Sequence, residues 1–334
     1  MIRDARKDSS PCFARENCVR VSRKRCVEVK AATDSDLLRK SLAEFQGQIL
    51  LDEPMSLHTS FKLGGPADVF AVPENVEDLQ VLLRCAQSNS LPVFVLGGGT
   101  NLLVADRGIR GLVVQLGRGF RRVHIRGRRA AAGAAAKLSR VVRQSIGRGL
   151  AGVEALQGIP GTVGGAICMN AGTPEGCVKD SLEAATALDA QGELHKIPAC
   201  DLGLDYRGSA VRRSGLVITD ATFRLREEEP AQINKIVESL MSKRRHTQPY
   251  GVGTAGSVFK NPPGKYAGQI LETVGAKGMQ VGGARVSSKH ANFIENTGNA
   301  SAADVRELML SLQHLAADKF GVTLEPEIEL VGEW

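Results

Sequence analysis

The spacing of apolar residues from Thr59 onward predicts strands and helices in alternation. Residues 68–72 have the pattern of an extended segment, and Asn75 then stands at the N-cap position of a helix. The apolar residues of that helix share one face, namely Leu79, Leu82, Leu83 and Ala86. The apolar runs 93–96 and 112–116 predict two further strands. We therefore expect an α/β arrangement in this part of the chain.

A second section begins near Val123 and contains a helix and a long strand. Residues 138–146 have helical periodicity, and Gly147 and Gly149 are expected to end the helix. Residues 216–225 alternate as in a half-buried strand. The inward-facing set is predicted to be Val217, Thr219, Ala221, Phe223 and Leu225.

A charged link at 226–229 precedes a third section. Pro230 begins a helix with apolar residues on one face, namely Ile233, Ile236, Val237 and Leu240. Ser301 and Asp304 form a capping box for another helix, which Gly321 is expected to end. A terminal strand is then predicted between Val322 and Val331.

These sections give the predicted domain organisation. We expect a first subdomain at 44–120, a second at 121–228 and a third at 229–334. Residues 1–43 are basic and lack sustained periodicity, so we predict a poorly ordered extension.

Composition narrows the class of protein. The chain has 334 residues, of which 43% are hydrophobic and 24% charged, as in ordinary soluble globular proteins. No apolar run is long enough to span a membrane, and the start of the chain lacks the apolar core of a signal peptide. We therefore expect a cytoplasmic protein with no membrane partner. A monomer is our working expectation, although the sequence does not determine the oligomeric state.

Charge and cysteine usage exclude further classes. The net charge of +7 would suit nucleic acid or an anionic nucleotide substrate equally well, but scattered basic residues and 4% aromatic content argue against nucleic acid. The seven cysteines show no CxxC and the six histidines no HExxH. We expect neither a metal site nor a disulfide framework.

The run LQGIPGTVGGAICMNAG at 156–172 carries the first functional signal. It holds five glycines, one proline and no charged residue. Glycine lets main-chain N–H groups close on a ligand, which suits a phosphate or diphosphate. The alternative is a tight turn between core strands, although such a turn needs only one or two glycines.

A second glycine run, LGGGTNLLV at 96–104, follows the apolar residues 93–95. Thr100 and Asn101 add a hydroxyl and an amide to a plausible phosphate-binding loop. The chain has no GxxxxGK[ST] motif, which excludes a P-loop enzyme. A GxGxxG match at 251–256 follows turn residues rather than a strand, so it does not indicate a dinucleotide-binding βαβ unit.

Three segments combine reactive side chains with turn residues. In AGSVFKNP at 255–262, Ser257 is either a turn hydroxyl or a proton-transfer group helped by Lys260 and Asn261. In DYRGS at 205–209, Arg207 either pairs with a surface carboxylate or holds a substrate carboxylate. In LEPEIEL at 324–330, three glutamates share one face, which is either solvated or contains one buried acid with a raised pKa.

Seven segments of the chain form an ordered set. They are TSFKLGGPADVFAVP at 59–73, GGGTNLLV at 97–104, GIPGTVGGAICMNAG at 158–172, YRGS at 206–209, AGSVFKNP at 255–262, VSSKHANFIEN at 286–296 and LEPEIELVG at 324–332. Together they resemble the UDP-N-acetylenolpyruvoylglucosamine reductase (MurB) family over residues 44–334. The short stretch between Phe223 and Ala255 resembles the type II branch, which lacks a tyrosine-bearing insertion.

The resemblance implies a fold and an activity. The fold is α+β, with an FAD-binding part of the PCMH or vanillyl-alcohol-oxidase type made of two α/β subdomains, and a third, substrate-binding subdomain. The activity is reduction of the enolpyruvyl ether of UDP-N-acetylglucosamine to UDP-N-acetylmuramate in peptidoglycan synthesis, with non-covalent FAD as cofactor and NADPH as co-substrate. Hydride would reach the vinyl carbon from reduced flavin.

The resemblance also assigns residues. Arg207 is the implied catalytic arginine, Ser257 the proton donor and Glu327 a neutral acid that stabilises an enediolate. The implied FAD contacts are Gly97, Gly98, Gly99, Thr100, Asn101, Gly158, Ile159, Pro160, Gly161, Gly164, Gly165 and Ala166. Thr100 replaces the family's usual serine. The expected substrate contacts are Tyr206, Arg244, Lys260, Asn261, Lys289 and His290.

Other functions compete with this interpretation. A flavin-binding module without turnover would share the glycine runs but not need all three reactive residues. A flavin oxidase of another alcohol often tethers FAD through histidine, and neither glycine run contains one. A basic nucleic-acid binder would show salt-dependent retention of DNA.

Overall fold

The computed structural model describes Cys18–Val19 and residues 45–334. Within these residues the helices are α1 (Val76–Ser88), α2 (Leu138–Ile146), α3 (Val163–Cys168), α4 (Val178–Ser181), α5 (Val211–Ser214), α6 (Pro230–Thr247), α7 (Ala267–Thr273) and α8 (Ala302–Phe320). No helix of this part of the chain is long and apolar enough to cross a membrane.

Two five-stranded sheets dominate the described chain. The first has the order β1-β2-β3-β6-β4 and contains β1 (Cys18–Val19), β2 (Gln48–Pro54), β3 (Pro66–Val72), β4 (Val93–Val95) and β6 (Ile109–Val114). The second has the order β13-β12-β14-β8-β7 and contains β7 (Val123–Arg126), β8 (Arg129–Gly133), β12 (Leu182–Leu188), β13 (Leu194–Pro198) and β14 (Val217–Arg224).

Shorter strands complete the fold. They are β5 (Leu102–Val104), β9 (Leu150–Ala151), β10 (Gly172–Thr173), β11 (Gly176–Cys177), β15 (Arg226–Glu227), β16 (Gln280–Val281), β17 (Ala284–Val286), β18 (Ile294–Asn296) and β19 (Glu329–Val331). The last strand, β19, pairs in parallel with β5. The end of the chain is therefore held directly after the glycine run 97–101.

The first sheet confirms the predicted strand and helix alternation. Strands β3 and β4 both run parallel to β6, and α1 connects β3 to β4. The Asn75 side chain accepts the Asp78 N–H at 2.7 Å, which confirms the predicted N-cap. The predicted apolar face of α1 is buried, as Leu79 is fully covered.

The second section follows its predicted pattern closely. Helix α2 has the predicted bounds. In β14, Thr219, Ala221 and Phe223 are buried and Arg224 is exposed, as the alternation predicts, although Ile218 on the opposite face is buried as well. Phe223 belongs to one apolar core with Leu79 of α1, so the first two sections pack together.

The third section differs from the prediction in two places. Ile236 is 39% exposed, because α6 packs mainly against the turn Glu154–Leu156 and buries only Ile233 and Leu240. The predicted strand at 322–331 is wrong before Glu329. Pro326 has no N–H to donate, and the Glu327 and Ile328 N–H groups both approach the Val258 carbonyl.

The capping predictions for α8 are confirmed. The Ser301 hydroxyl accepts the Asp304 N–H, the Asp304 carboxylate accepts the Ser301 N–H, both at 3.0 Å, and Gly321 ends the helix with a φ of +61°. Buried residues of α8 share a second core with Val258 and Ile328. The predicted extension 1–43 lies outside the described residues, apart from Cys18–Val19, which pairs antiparallel with β2.

Candidate active site

The two glycine runs lie against each other. A β carbon added at Gly98 would stand 2.8 Å from the Gly161 α carbon, and one at Gly97 would stand 3.0 Å from the Thr162 hydroxyl oxygen. Only glycine allows this backbone approach. The two runs therefore form one continuous surface.

Backbone N–H groups on this surface are free to bind a ligand. Among the described residues, several donate to no protein acceptor, namely those of Gly98, Gly99, Thr100, Asn101, Gly161 and Thr162. Successive free amides in a glycine-rich bend form a concavity that binds anions. The surface thus fits the diphosphate of a dinucleotide such as FAD.

Not every residue of the second run can contribute an amide. Four of its predicted contacts donate their N–H groups inside the protein, namely Ile159, Gly164, Gly165 and Ala166. Pro160 has no N–H. These residues therefore cannot donate backbone amides to a ligand, and the free donors of this run are those of Gly158, Gly161 and Thr162.

Arg207 occupies a tight turn that packs against the end of the second run, at Cys168 and Gly172. The Asp205 and Gly208 backbones hydrogen-bond each other in both directions, at 3.0 and 3.2 Å. Between them Arg207 has a φ of +55°, in the left-handed region that residues other than glycine rarely adopt. The guanidinium donates to the Gly172 carbonyl at 3.0 Å and lies 5.4 Å from the centre of the Tyr206 ring.

Glu327 lies beside Arg207 in a largely covered position. Arg207 Nε stands 2.7 Å from Glu327 Oε1, and the two side chains are 24% and 15% exposed. Burial raises the pKa of the Glu327 carboxyl, although the Arg207 charge opposes that rise. Arg207 Nε is buried, and its N–H is not aligned with any acceptor of the described residues. The pair therefore offers a protonatable acid and an unsatisfied cationic donor.

The three alternating glutamates differ in their surroundings. Each approaches its own cation, in the pairs Glu325–Lys260 at 3.3 Å, Glu327–Arg207 at 2.7 Å and Glu329–Arg212 at 3.0 Å. Of these, Glu327 has the most buried side chain. The structure thus selects one acid from a set that the sequence left open.

Ser257 lies on a segment that runs beside Glu327. The Val258 carbonyl accepts the Glu327 N–H at 2.7 Å, and Ser257 itself forms a bridge to Phe293. Gly256, with a φ of +81°, makes the bend before it. The Ser257 hydroxyl has no hydrogen-bond partner among residues 45–334. It does not act as a cap or turn hydroxyl, which leaves its proton available.

Tyr206, Lys260 and Asn261 gather beside the same acid. The Tyr206 hydroxyl accepts the Asn261 N–H at 3.4 Å, and the Asn261 side chain accepts the Ala267 N–H at 3.0 Å. The Lys260 ammonium lies 3.3 Å from Glu325, and its charge lowers the pKa of Glu327. Neither Lys260 nor Asn261 hydrogen-bonds the Ser257 hydroxyl.

Arg244 and Lys289 form a separate basic region next to the second run. Arg244 donates to the Gly158 carbonyl at 2.7 Å. Burial lowers the pKa of the Arg244 guanidinium, and the Arg207 charge adds to that effect. Lys289 lies 5.9 Å from the centre of the Tyr250 ring. The partly buried Arg244 is therefore close enough to Arg207 for the two positive charges to repel each other.

His290 lies apart from these groups. Its ring packs on Phe293 at 4.9 Å, and a β carbon at Gly268 of α7 would stand 2.8 Å from it. Its Nδ1 accepts the Asn292 N–H. Burial and the charge of Lys277 lower the pKa of His290, which favours the neutral ring.

Two asparagines make long-range contacts in the site that the sequence does not predict, although Asn101 stays a predicted FAD contact. The Asn101 side chain donates to the Glu327 carbonyl at 2.9 Å, and its own carbonyl accepts the Glu329 N–H at 2.9 Å. Asn170 was not selected at all, yet it donates to the Asp205 carbonyl at 3.0 Å. No local pattern could reveal either contact, because the partners lie 226 and 35 residues away.

We expect Gly98→Ala to purify with much less bound flavin than the wild type. Its β carbon would meet the Gly161 backbone at 2.8 Å, which forces the two runs apart. The measurement is the ratio of flavin to protein in the purified variant. Gly147→Ala, at the end of α2 with an added atom 3.3 Å from the Arg143 carbonyl, is the matched control and should keep its flavin.

The comparisons with known proteins agree with this geometry. A family model described as an FAD binding domain matches residues 67–198, which contain both glycine runs. The chain is therefore an FAD-dependent oxidoreductase with the predicted α+β fold. A second family model, for the C-terminal domain of UDP-N-acetylenolpyruvoylglucosamine reductase, matches residues 248–331.

Individual relatives cover nearly the whole described chain. The UDP-N-acetylenolpyruvoylglucosamine reductase of Moorella thermoacetica is 47% identical over 86% of this chain and 94% of its own length. That of Caldanaerobacter subterraneus subsp. tengcongensis is 43% identical over 89% and 98%. The crystal structure of the Thermus caldophilus enzyme superposes with a TM-score of 0.75 at 34% identity, covering 85% of this chain and 98% of that one. The chain belongs to the UDP-N-acetylenolpyruvoylglucosamine reductase family.

Proposed function

We propose that the chain reduces UDP-N-acetyl-3-O-(1-carboxyvinyl)-glucosamine to UDP-N-acetylmuramate for peptidoglycan synthesis, with NADPH as the reductant. The observation that carries the proposal is the largely covered Arg207–Glu327 pair, whose guanidinium has an Nε–H that is not aligned with an acceptor. A planar guanidinium matches a carboxylate, and the enolpyruvyl group carries one. Bound FAD would carry the hydride from NADPH to the vinyl carbon of the substrate.

The free amides of the glycine surface are the groups that would hold FAD. Those of 98–101 and of 161–162 suit its diphosphate. Neither run contains histidine, which supports a non-covalent attachment. Thr100 lies between the runs, with its hydroxyl 3.5 Å from the Pro160 carbonyl.

Arg207 and Glu327 would stabilise the charge that hydride addition places on the substrate carboxylate. Arg207 donates to the carboxylate oxygens. Burial raises the pKa of the Glu327 carboxyl, and in its protonated form Glu327 would donate a further hydrogen bond. Such preorganised donors in a covered site strengthen as charge develops.

Ser257 would complete the reduction by protonating the carbon that bears the ether oxygen. Its hydroxyl is free of protein partners and lies one residue from the carbonyl that holds Glu327 N–H. Serine is a weak acid, so the step depends on nearby positive charge, and Lys260 is the cation on this segment.

The basic residues beside the site would bind the rest of the substrate. Arg244 and Lys289 suit the UDP diphosphate, while Tyr206, Lys260 and Asn261 lie toward the reacting group. The described chain between Phe223 and Ala255 contains only β15 and α6, which supports the type II assignment. His290 is the substrate prediction with the least support, since its ring faces Phe293.

Product analysis in heavy water tests the proposal. Incubation of the holoenzyme with NADPH and the enolpyruvyl substrate in D2O should give UDP-N-acetylmuramate with deuterium on the carbon bearing the ether oxygen, and a second deuterium on the methyl carbon to the extent that the N–H of reduced flavin exchanges with solvent before hydride transfer. A flavin-binding module would form no product, and an alcohol oxidase would reduce its flavin with an alcohol instead of NADPH. Product without deuterium on the carbon bearing the ether oxygen would contradict protonation of that carbon by a solvent-exchanging acid such as Ser257.

We also propose that the protein acts as a cytoplasmic monomer on small molecules and binds no nucleic acid. Sedimentation of the holoenzyme should give a single species near the mass of one chain, 35.6 kDa. Salt-dependent retention on DNA at physiological ionic strength would contradict the second part.

We expect the substrate-dependent step to slow as pH rises through the pKa of Glu327. The neutral carboxyl is the active form, and burial moves its pKa upward, so activity persists above the range of an ordinary glutamate and then declines. The pH profile of flavin reoxidation by substrate measures this.

Glu327→Gln and Glu327→Ala separate the neutral-acid role from simple packing. The glutamine keeps a hydrogen-bond donor and should lose this pH limb while remaining faster than the alanine variant. Equal loss in both variants would rule out the neutral-acid role.

A further inference from the structure

We propose that Asn170 is the positioning residue that holds the Arg207 turn against the segment after α3, and so aligns the guanidinium with the substrate carboxylate. This inference rests on the proposed function of Arg207. Asn170 does not reach Arg207 itself, and it acts through the backbone of Asp205.

Three contacts connect the segment 168–172 to the turn at 205–209. The Asn170 side chain donates to the Asp205 carbonyl at 3.0 Å, and the Ser209 hydroxyl donates to the Cys168 carbonyl at 2.9 Å. The Arg207 guanidinium donates to the Gly172 carbonyl at 3.0 Å. The segment 168–172 therefore holds the turn at both of its ends, Asp205 and Ser209, and also holds the Arg207 guanidinium.

Asn170 is the buried member of this set. It is 6% exposed and has a φ of +41°. Both ends of its amide are used, because its oxygen accepts the Lys179 N–H at 3.0 Å while its nitrogen donates to Asp205. Asparagine tolerates the left-handed backbone better than most residues. The side chain is therefore fixed before any ligand binds.

The turn needs such support. Arg207 adopts a φ of +55°, and left-handed backbone at a residue other than glycine persists only where its surroundings impose it. The Asp205 carbonyl accepts both the Gly208 N–H and the Asn170 amide. Loss of the Asn170 donor would leave the turn held by fewer contacts and let the arginine relax.

The segment also continues from the glycine run that would hold FAD. Helix α3 begins at the Thr162 cap and ends at Cys168, two residues before Asn170. One short segment, residues 161–170, therefore contains both the free amides at 161–162 and the side chain that contacts the turn. This arrangement couples the position of the arginine to the glycine run that would hold the cofactor, while the third section contributes its partner Glu327.

The test is Asn170→Asp, which keeps an acceptor for the Lys179 N–H and removes the donor to Asp205. We expect the variant to retain bound flavin and normal reduction by NADPH. Reoxidation by the enolpyruvyl substrate should slow by about ten- to 100-fold, as misplacement of a positioned group by roughly 1 Å costs on that order. Its pH profile should also shift upward, because a displaced Arg207 opposes the raised pKa of Glu327 less.

Asn89→Asp is the matched control. It removes a similar amide donation, from Asn89 to the Cys85 carbonyl at 2.8 Å, at the end of α1. We expect both half-reactions to proceed at wild-type rates. Asn170→Gly, which accepts the backbone angle without the side chain, should match Asn170→Asp if the lost contact, rather than a new carboxylate, is responsible.

The cycle with Arg207→Ala decides the mechanism. If Asn170 acts through Arg207, adding Asn170→Asp to Arg207→Ala should change the substrate step less than twofold, since coupled residues are not additive. A full additional loss in that background, or equal slowing of both half-reactions by Asn170→Asp, would overturn the inference. If Arg207→Ala alone leaves the substrate step unchanged, the proposed function of Arg207 fails instead.

Discussion

Arg207→Ala is expected to slow flavin reoxidation by the enolpyruvyl substrate by about 100- to 1,000-fold, the usual cost of removing a preorganised charge-stabilising donor. The variant loses the cation that stands 2.7 Å from Glu327 and the unsatisfied donor of the site. Reduction of the flavin by NADPH should change little. Rapid mixing that follows the flavin absorbance measures the two half-reactions separately.

Two further variants define the result for Arg207. Arg207→Lys keeps the charge but not the planar fork, so we expect it to recover only part of the rate. Arg213→Ala, which removes an exposed arginine of α5, should match the wild type. Equal slowing of both half-reactions in Arg207→Ala would mean that the arginine supports the fold or the cofactor, and would contradict the assigned role.

Ser257→Ala is expected to slow the substrate half-reaction by about 100- to 10,000-fold, the range for loss of a positioned general acid. The hydroxyl makes no hydrogen bond with the described protein, so its removal should leave the fold and NADPH-dependent reduction intact. Rapid mixing and thermal unfolding of the holoenzyme together measure this.

Two controls accompany Ser257→Ala: one places a different acid at position 257, and the other removes a serine far from the site. Ser257→Cys retains a proton and should recover part of the rate. Ser239→Ala, on the exposed face of α6, should have no effect. Two outcomes would exclude Ser257 as the proton donor. One is equal slowing of both half-reactions in Ser257→Ala, and the other is a wild-type rate in both.

Local signals in the sequence predicted much of the fold. Helix α1 and helix α8 follow from apolar spacing together with the caps at Asn75 and Ser301, because both signals act within a few residues. The predicted strand at 322–331 was wrong before Glu329, because Pro326 has no N–H to donate. The next two N–H groups donate to the carbonyl of Val258, which is far away in sequence. The prediction that Ile236 is buried was wrong, because the width of the buried face of α6 depends on the element that packs against it.

The site was predicted in part for the same reason. Glycine content marked the two runs, but only the structure shows that Gly98 meets Gly161 and which amides remain free. Alternation placed three glutamates on one face, and three different cations then distinguish them. The contacts of Asn101 and Asn170 join distant segments and leave no local pattern.

The central claim is that one covered site passes reducing equivalents from NADPH to a vinyl ether through bound FAD. Sequential mixing of the anaerobic holoenzyme, first with one equivalent of NADPH and then with the enolpyruvyl substrate, tests it most directly. We predict that the flavin absorbance is lost in the first step and fully restored in the second, with one UDP-N-acetylmuramate formed per flavin. Absorbance that stays low after the substrate is added, with no product, would contradict the account.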